Sequence, residues 1–119
     1  MESFDDRSPI YLQIAEQLRR SILSGDLAEE DQVMSTTAYA TNYRINPATA
    51  AKAMSLLVDE GLLYKRRGVG MFVTPGARET LRSRGRAVFV DDVLRPVVDQ
   101  AGALGMSTDE LIRAVKEIS

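Results

Sequence analysis

The 119-residue chain has no cysteine, no histidine and no tryptophan. Without cysteine there is no disulfide, no thiolate zinc site and no cysteine nucleophile. Without histidine the commonest general base and the commonest metal ligand are both missing, so neither a hydrolytic triad nor an ordinary zinc centre can be assembled. Also missing is any apolar run long enough to span a bilayer, and the opening "MESFDDRSP" is acidic where a signal peptide would turn apolar. The expectation is a cytoplasmic protein with no membrane association, no metal, no cofactor and no enzymatic activity. Catalysis would have to rest on carboxylates, and the neighbours Glu29-Glu30 and Asp91-Asp92 read as solvated faces.

What the chain does have is 45% hydrophobic and 27% charged residues, the balance of a globular domain and not of a disordered tail. The length suits one ordinary domain, or a small domain with an appendage. The net charge of −2 argues against a nucleic-acid partner if read globally. Charge acts over about a Debye length, however, roughly 8 Å at physiological salt. Residues 44–86 hold nine basic against three acidic side chains, a net +6, whereas residues 1–43 carry −5 and residues 87–119 carry −3. The positive charge is gathered in the middle third.

Five helical segments and one hairpin punctuate the chain. Ser8 as N-cap and Pro9 at the first helical position open a helix whose Ile10, Ile14, Leu18 and Ile22 recur every fourth residue, and Gly25 closes it. The acidic connector "DLAEEDQ" reads as a solvated loop. Ser35 or Thr36 caps a short second helix with Ala38 and Tyr39 facing inward. Asn46 and Pro47 repeat the cap-plus-proline signal for a third helix, stopped by Gly61. On its wheel Ala50, Ala53, Met54 and Leu57 form the apolar arc, opposite Ala48, Lys52, Ser55 and Asp59. The runs "LLYKR" and "MFVT", joined by "RGVG", then read as a tight hairpin ended by Pro75-Gly76. Beyond Ala77 the pattern is helical again, with a weak point at Gly85 and an interruption at Pro96. Ser107 and Glu110 form a capping box for a last helix.

Three helices followed by a two-stranded hairpin is the order of a winged helix-turn-helix, in which the third helix lies in the DNA major groove. The predicted fold is therefore mainly α with a small β-hairpin: a winged helix-turn-helix over residues 1–75, followed by two C-terminal helices in a helical dimerisation segment over 76–119. Small outward residues at Ala48, Thr49 and Ala51 would let the third helix approach base edges, and Asn46 or Thr49 could hydrogen-bond to a base or phosphate. The hairpin tip "KRRGVG" would set basic side chains beside phosphates, its glycines allowing close backbone approach. Taken singly, a good helix start and a solvated basic turn are the commoner explanations of these features; their order along one chain favours DNA. Arg78, Arg82, Arg84 and Arg86 either extend the positive field or solvate a helix.

The stretches "SPIYLQIAEQLRRSILSGDL", "RINPATAAKAMSLLVDEGLLYKRRGVGMFV" and "LRPVVDQAGALGMSTDELIRAVKEIS" resemble the GntR family of bacterial transcription regulators, the short tail matching its YtrA-type branch. The resemblance implies a homodimer made through the C-terminal helices, binding a palindromic double-stranded DNA operator. It further implies repression, often of the regulator's own operon with transporter genes. Carried over by position, the groove-facing residues are Asn46, Pro47, Ala48, Thr49, Ala51 and Lys52, and the wing residues Arg66, Arg67, Gly68 and Gly70. Ser35, Thr36 and Thr37 on the second helix and Arg44 ahead of the third complete the DNA-facing set. Two departures stand out. Thr37 occupies the place of a usual DNA-contacting arginine, and Val69 and Met71 replace a wing lysine and threonine.

The dimer surface is expected on Val88, Phe89, Val93, Leu94, Val97, Val98, Leu111, Ile112 and Val115, more apolar surface than 44 residues need for themselves. A small-molecule effector could bind between the winged domain and these helices, although no residue cluster marks such a site. The competing reading is a winged helix used as a protein-interaction module without specific DNA binding, favoured by Thr37, Val69, Met71 and the acidic flanks.

Overall fold

A computed structural model describes residues 4–119. Most of these residues are helical, with one small antiparallel sheet, in two compact units: one ends at Arg82 and the other is Ser83–Ser119. The first holds α1 (Ile10–Ser24), β1 (Gln32–Val33), α2 (Thr36–Tyr43), α3 (Pro47–Asp59), β2 (Leu63–Arg66) and β3 (Gly70–Val73).

Helix α1 starts one residue later than its proline suggests. Pro9, extended at φ −53° and ψ 141°, is itself the N-cap, and no side-chain hydroxyl caps the helix. Instead of a bond from Ser8, the Gln13 amide reaches back, donating to the carbonyls of Ser8 (2.7 Å) and Asp5 (2.8 Å) while accepting from the Asp5 N–H (3.0 Å). Ile14, Leu18 and Ile22 are buried, joined by Ala15. Ile10 is not, because it stands at the helix mouth, one turn short of the packed residues. Gly25 closes the helix in the left-handed region, φ +92°, as expected.

Ser35 caps α2, its Oγ accepting from the Ala38 N–H at 3.1 Å. The inward residues are Tyr39 and Ala40; Ala38 is only half-buried, because the chain folds back toward α3 beside Ala40, whose carbonyl accepts from the Ile45 N–H at 3.0 Å. Asn46 and Pro47 open α3 as the sequence predicts, with Asn46 Oδ1 accepting from the Ala48 N–H at 2.8 Å. Ala50, Ala53, Met54 and Leu57 are all sealed in the core, where the two alanines let α1 lie close. An Arg19–Glu60 fork, with Nε to Oε1 at 2.9 Å, ties α1 to the end of α3.

The sheet has three strands in the order β1-β3-β2, not two. The acidic connector expected to be loop ends in β1, pairing Gln32 with Phe72 and Val33 with Met71. Val33 supplies the reason: it is buried, and the preceding Glu30 N–H and Asp31 carbonyl bond to the Val73 backbone at 2.9 and 3.0 Å. Strands β2 and β3 pair from Leu63↔Val73 to Arg66↔Gly70, closed by a Val69 N–H to Arg66 carbonyl bond of 3.0 Å.

Helix α4 (Ala77–Phe89) passes into the second unit, followed by a π turn (Val90–Leu94), α5 (Arg95–Ala103) and α6 (Thr108–Ile118). Gly85 causes no break within α4. Pro96 does not end the helix either. Its ring would clash with the carbonyl four residues back in a regular helix, and the π turn widens the backbone just before it, Arg95 donating to the Val90 carbonyl five residues back. The capping box of α6 is complete: Glu110 N–H to Ser107 Oγ is 3.1 Å and Ser107 N–H to Glu110 Oε1 is 3.2 Å. No helix among the described residues is long and apolar enough to cross a membrane.

Candidate nucleic-acid interface

The sequence-predicted residues fall into three groups. On α2, Ser35 spends its hydroxyl oxygen on the cap, Thr36 is half-buried with Oγ1 3.7 Å from Met54 Sδ, and Thr37 is exposed, its carbonyl accepting from Thr41 Oγ1 at 2.9 Å. Of the three, Thr37 alone presents an uncommitted side chain. Between α2 and α3, Arg44 is exposed and sits in the left-handed region at φ +53°. That conformation costs a residue with a Cβ of order 1 kcal/mol. The turn thus carries a cation where glycine would relax the backbone.

On α3, Asn46, Pro47, Ala48, Ala51 and Lys52 are exposed and Thr49 is half-buried. Since the Asn46 carbonyl oxygen is engaged by the cap, what Asn46 has to offer a ligand is its amide NH2. Pro47 and the alanines put no long side chain ahead of the helix end, so backbone and methyl groups are what an approaching surface would meet. The Lys52 ammonium lies 4.1 Å from the Tyr11 ring centroid, a cation–π contact that holds this side chain to α1 while leaving the charge exposed.

The wing is more heavily braced than its sequence announces. Gly68 turns it at φ +76°, and Gly70 adopts φ +145°. A Cβ at Gly70 would stand 2.7 Å from Gln32 Nε2, which donates to the Val69 carbonyl at 3.0 Å. Tyr64, Phe72 and Gln32 share one sheet face by register. Phe72 is buried yet lies outside the main core cluster; the Tyr64 ring stacks on it at 5.9 Å and the Arg66 guanidinium covers it at 4.4 Å. Glu30 closes the group, accepting from Tyr64 OH at 2.6 Å and pairing with Arg66 at 3.4 Å. This bond to a carboxylate holds the Tyr64 phenol above its usual pKa. Arg67 and Gly68 are exposed, and Arg67 has no ion-pair partner among the described residues.

Tyr11, Gln32, Tyr64 and Phe72 were not singled out by sequence reasoning. The i, i+2 spacing of Tyr64 and Arg66 in a strand was the available signal for their shared face. Glu30, expected as one of a solvated acidic pair, is instead tied to Tyr64 and Arg66 on β2, a partnership that no local pattern marked. Among the described residues no three acidic side chains gather in the manner of a metal site.

Residues 10–73, from the start of α1 to the end of β3, match the pattern of the bacterial regulatory proteins of the gntR family. The chain belongs to the GntR family. Its whole length aligns with the HTH-type transcriptional repressor YtrA of Bacillus subtilis (strain 168), at 32% identity over 121 residues and 92% of that protein. The fold is similar to that of a GntR family transcriptional regulator from Listeria monocytogenes, with a TM-score of 0.71 and 26% identity over 98% of this chain and 100% of the other. The AraR DNA-binding domain, solved in complex with operator ORX1, is 25% identical with a TM-score of 0.59, covering 62% of this chain and 96% of that one. GntR proteins are transcriptional regulators and not enzymes. The GntR match stops before α4, so the cations Arg78 to Arg86 lie outside it.

Proposed function

We propose that the protein is a sequence-specific transcriptional repressor, acting in the cytoplasm as a homodimer on a palindromic operator ahead of its own operon, transporter genes included. The observation that carries this reading is the exposed start of α3, where Asn46, Pro47, Ala48, Ala51 and Lys52 face outward on a helix whose other side is sealed in the core. Such a helix enters a major groove without obstruction. In this reading Asn46, Thr49 and Lys52 read or anchor the half-site, Ser35, Thr36, Thr37 and Arg44 border the phosphates, and Arg66, Arg67, Gly68 and Gly70 form the wing. One module buries too little surface for specific binding, and two copies reading half-sites about 34 Å apart would supply the rest. The apolar residues of α4 to α6 support that second copy. Repression is supported by the likeness to YtrA.

The test is binding to a fluorescent duplex carrying the gene's own upstream region, against a scrambled duplex, at two salt concentrations. Preferential binding that weakens with salt is expected. Equal weak binding to both duplexes, with no salt response, would favour the protein-interaction reading, to which the exposed Val69 at the wing tip lends some support.

A further inference from the structure

Glu30 combines two unusual properties. It is one of two non-glycine residues with positive φ among the described residues, at +68°, a conformation that side chains rarely adopt. Its carboxylate reaches across to β2, where it meets Tyr64 OH at 2.6 Å and the Arg66 guanidinium at 3.4 Å, while the same guanidinium covers the Phe72 ring at 4.4 Å. A carboxylate and a DNA phosphate offer an arginine the same thing: two anionic oxygens matched to its planar fork. An arginine already holding one cannot take the other without bringing two anions together or leaving its partner.

Resting on the DNA-binding reading above, we propose that Glu30 is a positioning residue that stands in for a phosphate at Arg66, so that the wing engages DNA phosphate through Arg67 while the Glu30 carboxylate is in place. The two adjacent arginines then divide the labour. Arg66 seals Phe72 on the outer sheet face and holds the wing's base, and Arg67, exposed one residue further on, meets the backbone. Glu30 also subtracts charge from the wing and so lowers the protein's grip on DNA of any sequence.

Glycine is the informative replacement, since it adopts the positive φ at position 30 without strain and leaves the fold in place. The salt dependence of duplex binding is measured for the wild type, R67A, R66A, E30G and the E30G/R66A double variant, each checked by circular dichroism and thermal unfolding. Each phosphate neutralised adds about 0.9 to the steepness of log K against log salt. R67A should lose about one such unit and R66A clearly less; E30G should gain about one, and the gain should vanish in E30G/R66A. The proposal is overturned if R66A alone loses as much as R67A, or if E30G leaves a sloped wild-type curve unchanged. It is equally overturned if the gain in E30G survives R66A, because the carboxylate would then act on DNA directly. A wild-type curve that is flat in salt defeats the DNA-binding reading itself, and this proposal with it.

Discussion

In the first unit Ile14, Leu57, Leu62 and Val73 have 0% of their surface exposed, while in the second Val88, Phe89, Val93 and Val98 keep between 45% and 57% open and Ala101 alone is buried. Both units are helical and both are rich in large apolar residues. The first folds three helices around a sheet and closes its core with its own side chains. The second has a helix pair, α5 and α6, whose apolar residues outnumber the neighbours available to cover them. Single exposed leucines and valines are ordinary, but a run of them along helices α4 to α6 is the composition of an interface. Each such side chain gains about 1.5 to 3 kcal/mol on full burial, so a second copy would supply what the segment lacks by itself.

Breaking the open region should have the largest effect. Val93→Asp with Val97→Asp is expected to turn the proposed dimer into a monomer in analytical ultracentrifugation with the helical signal kept. Specific operator affinity should fall by roughly 10³-fold, toward the non-specific level. An unchanged sedimentation mass would remove these residues from the dimer surface. Breaking the closed region comes next: Leu57→Ala should cost about 3 kcal/mol in denaturant unfolding, with the same loss at every protein concentration. A cost below about 1 kcal/mol would mean that the core is looser than its burial implies. Lys52→Ala is the gentlest change. It removes the cation–π contact with Tyr11, worth about 1 kcal/mol or less at an exposed site, and should weaken operator binding with the dimer intact; equal binding by the variant would take Lys52 out of the DNA surface.

What the sequence made legible follows the same division. The third helix was readable almost residue for residue, because Asn46-Pro47 is a local start signal and Ala50, Ala53, Met54 and Leu57 keep a strict helical period. Residues 76–119 were readable as helical, with a run of large apolar side chains from Val88 onward. The capping box at Ser107 was equally plain. Strand β1 was not, because two residues in an acidic connector carry no alternation and acquire their conformation from β3. For the same reason the sequence could list Arg66 and Arg67 as equals: their difference comes from Glu30, 36 residues away along the chain, and from a ring on the next strand. The start of α1 was misplaced by one residue because Pro9 itself stands as the N-cap and no side chain caps the helix, leaving serine at position 8 without the capping role its type suggests.

The π turn at Val90–Leu94 sets the angular phase of everything that follows it. In an α-helix residues four apart drift by about 40° around the axis; a turn closed by bonds over five residues winds less per residue, so that drift is altered locally between Val90 and Leu94. Deleting one residue within the π turn would draw the backbone back to a regular α-helix and press the Pro96 ring against the carbonyl four residues before it, so the widened turn is what lets the helical run carry a proline without breaking.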